Sequence, residues 1–339
     1  MNMTQWFDEM RKSPVKKAMP ILSFPSIQLL GIGVKELISD SDLQAQGMKA
    51  VADRVDAAAS LSMMDLSVEA DAFGATIRVS DDEVPTVIGH IISTEAEAEA
   101  LAVPPVGAGR TGLYIEAIRK ACTLITDRPV FAGVIGPFSL AGRLLDVSEA
   151  MLYCYDVPEM VHKLLDKVTR FSTAYINAYK AAGANGVVIA EPLAGLLTPA
   201  FNEEFSARYV KQIVNAVQTD DFAVVYHNCG GGTPKMTDAL IDIGARAYHF
   251  GNAIDLTEIL DIFPATVPVM GNLDPSSLFR NGTPESVREA TLELLEKCHR
   301  YSNFIISSGC DVPPMSKWEN IDAFFKAVAD FYGGCASGL

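Results

Sequence analysis

The sequence predicts a (β/α)₈ barrel of the TIM type, and three observations carry that reading. Short β-branched runs recur eight times along 339 residues, and amphipathic stretches of helical period lie between most of them. Alternation of this kind implies parallel strands joined by helical crossovers, and eight units in about 300 residues suit a closed barrel. The third observation separates the barrel from an open doubly wound sheet. No G-x-G-x-x-G follows the first run, and "GIG" at Gly31 to Gly33 lacks both the third glycine and a preceding strand ending.

In chain order the expected strands are "MPILSF" (19–24), "LSMMDLSV" (61–68), "VFAGVIG" (130–136), "GVVIAEP" (186–192), "AVVYHN" (223–228), "RAYHF" (246–250), "VPVMGNL" (267–273) and "NFIISSG" (303–309). Helical patterns fill 148–183 and 283–302, the second opened by Thr283 as cap and Pro284 as first helical residue. One insertion breaks the rhythm. Residues 69–92 alternate apolar positions around an acidic turn at Asp81 to Glu83, which reads as a β-hairpin on the loop after the second strand. The chain is expected to be a single domain, 1–339, with a flexible tail at 333–339 that leaves Cys335 an exposed thiol.

A hydrophobic fraction of 49% and a charged fraction of 20% describe an ordinary globular chain. Lys+Arg 27 against Asp+Glu 42 leaves a net charge of −15, which argues against nucleic acid or an anionic membrane surface as the main partner. The N-terminus has basic residues but no apolar segment of signal-peptide or membrane-spanning length, so a cytoplasmic setting is expected. Six cysteines without a CxxC pair then read as free thiols or ligands rather than a disulfide framework.

In a barrel of this kind, chemistry gathers at the C-terminal ends of the strands. His227 and Cys229 end the fifth strand and point to the same side, because side chains alternate along a strand. Cys310 follows the eighth strand. Two cysteines and one histidine, with a fourth position open, suit zinc in a catalytic site. Taken alone, H-x-C is also what core packing produces, since free cysteine behaves as a small hydrophobe. Cys122, Cys154, Cys298, His162 and His299 lie within helical patterns where burial explains them, and His90 belongs to the insertion. His249, on the sixth strand, reads either as reaching the mouth or as a hydrogen-bonded structural histidine.

The motifs "YHNCG" (226–230), "GNLDP" (271–275), "SSGCDVPPMSKWENIDAF" (307–324), "VEADAFG" (68–74) and "VIAEP" (188–192) are spread along the chain, so that the resemblance they carry covers nearly all of it. They resemble the uroporphyrinogen decarboxylase-like superfamily, and more narrowly its branch of zinc-dependent methylcobamide:coenzyme M methyltransferases and related corrinoid methyltransferases. The resemblance implies that His227, Cys229 and Cys310 bind zinc. It also implies a small thiol in the open position as methyl acceptor and a methylated corrinoid as donor, either free methylcobamide or carried by a corrinoid protein. Uroporphyrinogen decarboxylase itself carries an arginine-rich motif after its first strand to hold the carboxylates of its substrate. Residues 21–37 here contain no arginine and one lysine, Lys35, which disfavours that decarboxylation.

Other residues at the expected mouth take roles beside the resemblance. Glu191 reads as a fourth oxygen ligand, as an acceptor for a histidine N–H, or as a cap for the next segment. Asn272 and Asp274 are placed to bond substrate or to hold a loop, Glu69 and Asp71 to line the pocket or face solvent. Gly230 and Gly231 offer backbone amides to an anion or simply make a turn. Two rival readings stand beside methyl transfer from a corrinoid: transfer from a folate, as in cobalamin-independent methionine synthase, and a non-catalytic zinc- or thiol-binding barrel.

Overall fold

The computed structural model describes the backbone of residues 1–336 and the side chains of residues 1–333. Its strands are β1 (Ser60–Leu61), β2 (Thr76–Arg78), β3 (Thr86–Ile88), β4 (Val130–Ile135), β5 (Gly186–Ala190), β6 (Ala223–Asn228), β7 (Ala247–Phe250), β8 (Val269–Leu273) and β9 (Phe304–Ser308). Seven of them form one parallel sheet in the order β1-β4-β5-β6-β7-β8-β9, while β2 and β3 pair antiparallel on their own. Helices connect the parallel strands, giving the curled α/β architecture of a TIM barrel.

The eighth place in the barrel is taken by the irregular segment 18–21. Met19 N–H donates to the Ile306 carbonyl at 3.0 Å on one side, and Ala58 N–H donates to Ala18 at 2.8 Å on the other, so the two edges of the sheet are joined. The sequence led us to expect a strand over 19–24, but Pro20 has no N–H to give a ladder and the pairing stays local. The second expected strand, 61–68, is likewise cut to two residues. Asp65 accepts from the backbone and the hydroxyl of Ser67, and this turn diverts the chain into a short helix, Val68–Ala72.

The insertion differs from its expected bounds in the same place. Residues 69–72 are helical, and the hairpin proper occupies 76–88. Its tip is pinned on two sides, by Val34 N–H to the Asp81 carbonyl at 2.8 Å and by Arg280 to Glu83 at 2.7 Å. The helical stretch expected over 148–183 is two helices, Val147–Asp156 and Pro158–Ala181, because proline at 158 starts a new helix. The last helix, Trp318–Ala336, runs on into the segment read as a tail, and 337–339 lie outside the described residues, as does the Cys335 side chain.

One end of the barrel is closed by the N-terminal helix Met3–Lys12, capped by Asn2. Met3 and Phe7 are buried there against Phe131, Met19 and Ile21, at the end where the strands begin. This leaves the opposite, C-terminal ends of the strands as the place where loops and polar side chains meet. Among the described residues, no helix is long and apolar enough to cross a membrane.

Candidate metal centre

Parallel pairing sets the height of each side chain at the mouth. Ala190 stands beside His227, and His227 beside His249, so the end of β6 lies level with the ends of its neighbours. Cys229 follows β6 by one residue and shares the face of His227. Its backbone is closely covered: a Cβ at Gly251 would lie 2.5 Å from the Cys229 Cα, so only glycine lets the β7 loop pass. Cys310 arrives from the loop after β9.

These three residues converge. One ligand atom from each of His227, Cys229 and Cys310 lies within 4.8 Å of the others, and they form a three-residue cluster among the described residues. His227 Nε2 is 3.6 Å from Cys310 Sγ. For tetrahedral zinc, bonded nitrogen and sulfur atoms stand about 3.5 Å apart, so the residues fit such an ion. The hydrogen bond from Cys310 and the adjacent His227 hold the Cys229 thiol well below the usual thiol range, while the same contact and burial push Cys310 up.

Behind the cluster, His227 Nδ1 lies 2.8 Å from His249 Nδ1 and 3.2 Å from the His249 carbonyl. His249 Nε2 is 2.8 Å from Ser307 Oγ, which donates to the Met19 carbonyl at 2.8 Å. Burial holds His249 well below the usual histidine range. Of its two sequence readings, the structure supports the hydrogen-bonded one. A further signal was available, since "AVVYHN" and "RAYHF" place the same Tyr-His pair in register on adjacent strands. Ser307 carried no such signal.

The remaining expected site residues are engaged elsewhere. Glu191 is fully buried and accepts from Phe138 N–H and Ser139 N–H at 2.9 Å and from Ser139 Oγ at 2.7 Å. It therefore caps the helix Pro137–Leu145, which follows the neighbouring strand, and takes no part in the cluster; burial pushes it up to about 7. The cap reading had the right chemistry and the wrong helix. Glu69 is buried too, accepts from Ile135 N–H at 3.0 Å, and is pushed by burial up to about 8. Asp71 accepts from Arg110, whose guanidinium also reaches Asp65 and Ser67.

Asn272 donates to the carbonyls of Gly251 and Ile254 at 2.9 and 3.0 Å and so holds the β7 loop behind Cys229. Asp274 accepts from Ser276 and Ser277 N–H, both at 2.9 Å, as a helix cap. The Gly230 amide is taken by Asn228 Oδ1 at 2.9 Å, and a Cβ there would meet Gly195 at 2.5 Å, so close approach explains this glycine. Gly231 packs beside Ala253. Asp65, Arg110 and Tyr114, which sequence reasoning passed over, form a buried network: Tyr114 donates to Asp65 at 2.6 Å. Asp311, beside Cys310, accepts from Met64 N–H at 2.9 Å, and burial pushes it up to about 8.

A barrel with a buried histidine and two cysteines gathered at its mouth belongs to the enzymes of this fold, whose chemistry sits at that end. The uroporphyrinogen decarboxylase family model matches residues 12–331, and the chain belongs to that family. It is 29% identical over 272 residues to the methylcobamide:CoM methyltransferase MtbA of Methanosarcina acetivorans, covering 79% of this chain and 78% of that one. It is also 26% identical over 283 residues to the uroporphyrinogen decarboxylase of Hydrogenovibrio crunogenus, covering 80% and 78%. Among solved structures, a methyltransferase from Methanosarcina mazei superposes with a TM-score of 0.85 at 22% identity, covering 98% of this chain and 99% of that one. Relatives named as methyltransferases and relatives named as decarboxylases both fall within reach of this sequence, and the chain is an enzyme of that family.

Proposed function

We propose that this enzyme transfers a methyl group from a methylated corrinoid to a small thiol held at the His227–Cys229–Cys310 corner. The observation that carries the reading is the convergence of those three ligand atoms within 4.8 Å at the mouth. Zinc, when bound there, would keep a coordinated substrate thiol deprotonated and nucleophilic near neutral pH. Cys229 and Cys310 supply thiolate sulfur, His227 supplies neutral imidazole nitrogen, and the three leave a fourth position for the substrate. The chain's own contribution is placement: β6 carries two of the donors, and Asn272 and Gly251 keep the backbone behind Cys229 fixed.

In such a transfer the substrate sulfur would form a C–S bond to the methyl carbon as the carbon–cobalt bond breaks, with the electron pair remaining on the corrinoid. The donor half of this reading is supported by the relatives named methylcobamide:CoM methyltransferase. The donor is expected as free methylcobamide or on a corrinoid protein, in a reducing, cytoplasmic setting. Decarboxylation of a porphyrinogen is the second reading, favoured by the relatives named uroporphyrinogen decarboxylase. Against it stands the segment 21–37, without arginine, where many substrate carboxylates would need partners.

The test is metal content of protein purified without chelator, beside Cys310→Ala, followed by thiol-dependent demethylation of methylcobalamin read by absorbance. The expected result is about one zinc per chain, lost or weakened in the variant, with demethylation that needs both zinc and thiol. Wild-type protein without bound zinc, and inert toward methylcobalamin, overturns the reading.

A further inference from the structure

Methyl transfer requires a zinc ligand presented in one protonation form, and the buried chain behind His227 has a polarity that can be traced from its far end. The Met19 carbonyl only accepts, so the single hydrogen of the Ser307 hydroxyl points to it across 2.8 Å. The Ser307 oxygen is then left to accept, and the group facing it at 2.8 Å is His249 Nε2, which must carry a hydrogen. The next link is set by a backbone group: the His249 carbonyl, an acceptor only, lies 3.2 Å from His227 Nδ1, so that nitrogen carries a hydrogen.

The His249 Nδ1 lies 2.8 Å from the same His227 Nδ1. With the hydrogen on His227 Nδ1, the His249 Nδ1 facing it is left to accept, sharing that hydrogen with the carbonyl. Nε2 is then the nitrogen of His227 left to offer a lone pair to a metal, and it faces Cys310 Sγ at 3.6 Å. Each bond in the chain has one permitted direction, and all of them end at the lone pair a metal needs.

We infer that His249 and Ser307 are positioning residues that lock His227 in the Nδ1–H tautomer and orient its ring toward the two cysteines. The inference rests on the metal-site reading above. It extends that reading to residues on β7 and β9 and to the irregular segment at Met19, so three staves of the barrel hold one ligand in place. Outer partners of a ligating histidine typically account for about 10- to 100-fold in metal affinity. Free rotation of the ring, or the Nε2–H tautomer, forfeits that factor while leaving all three ligands present.

The experiment has a metal-free arm and a metal arm. In the metal-free arm, ring ¹⁵N shifts of the five histidines are recorded in the apo protein. Nδ1–H on His227 together with Nε2–H on His249 is the expected pattern, and the opposite tautomer on His227 overturns the inference whatever the protein binds. In the metal arm, zinc affinity is measured by chelator competition for wild type, His249→Phe, His249→Gln and Ser307→Ala, with thermal melting of each apo protein as the control for folding.

His249→Phe is expected to weaken zinc about 10- to 100-fold, and Ser307→Ala by a smaller factor in the same direction. His249→Gln, whose amide both accepts and donates, is expected to recover most of the loss. A cobalt-substituted sample should show a shifted visible spectrum in His249→Phe and a near-native one in His249→Gln. Should His249→Phe fail to fold, Ser307→Ala decides the matter on affinity. Folded variants that bind zinc as tightly as wild type sink the inference while sparing the methyltransferase reading. A wild type that binds no zinc sinks the metal reading, and the tautomer pattern is then judged by the shifts alone.

Discussion

Two buried polar corners sit at the same end of this barrel, and they are built in opposite ways. In one, beside β4 and β5, Glu69, Glu191 and Asp65 are each less than 6% exposed, and their oxygens are taken by backbone amides, hydroxyls and Arg110. In the other, beside β6 and β9, the donor atoms of His227, Cys229 and Cys310 face chiefly one another. Burial of titratable groups is common to both, so burial alone does not mark chemistry. The difference lies in whether the converging atoms already have partners. The first corner holds loops together, and the second gathers donors whose chief partners are one another.

The sharpest way to break that contrast is to remove Arg110. The Asp65 side chain is fully buried, and Arg110 is its cationic partner. Breaking a buried pair from one side typically costs about 3–5 kcal/mol, because the remaining acid loses its counter-charge even where its hydrogen bonds persist. Arg110→Ala is expected to lower the free energy of denaturant unfolding by that order while the folded fraction keeps its metal content. Loss of zinc from the folded variant would mean that the two corners are coupled, and the contrast would fail.

Glu69 offers a smaller effect with a defined sign. Burial raises its pKa from 4.5 to about 8, so the folded protein holds this proton more firmly than the unfolded chain does. Stability from the group is therefore fully present below the unfolded value and is lost as pH rises through about 8. Glu191, raised to about 7, acts in the same direction over a narrower window. Glu69→Gln keeps an acceptor for Ile135 N–H and removes the ionisation. Compared with wild type, it should gain on the order of 2–3 kcal/mol between about pH 6 and about pH 9 in denaturant midpoints. An unchanged pH dependence would show that Glu69 ionises freely and that its corner is less closed than the geometry states.

The contrast between the corners also explains what was legible in the sequence. Strand alternation puts His227 and Cys229 on one face, and the barrel brings a residue after its last strand to the same mouth, so the three donors could be read from spacing and fold alone. The acid corner could not. Glu191 caps a helix that follows a different strand, and Glu69 bonds an amide 66 positions away, so their partners depend on packing between units rather than on local pattern. The same holds for the first stave. Its apolar run looks like a strand, and only the closing contacts to Ala58 and Ile306 reveal a segment whose pairing stops at Pro20. Local period fixed the strands that carry the donors, whereas the groups that hold those strands in place belong to tertiary geometry.

Asp274 gives the smallest effect and the most direct check on where the second corner ends. It follows β8 two residues beyond Asn272, where the sequence could equally assign it to substrate. In the structure its Oδ1 accepts from Ser276 and Ser277 N–H, the work of a cap on the turn Pro275–Arg280. Removing such a cap costs about 1 kcal/mol. Asp274→Ala should therefore lower stability by that amount, with zinc affinity and the thiol dependence of methylcobalamin demethylation unchanged. A rise in the apparent KM for the thiol, at unaltered zinc affinity, would instead place Asp274 against the substrate and extend the open corner along β8.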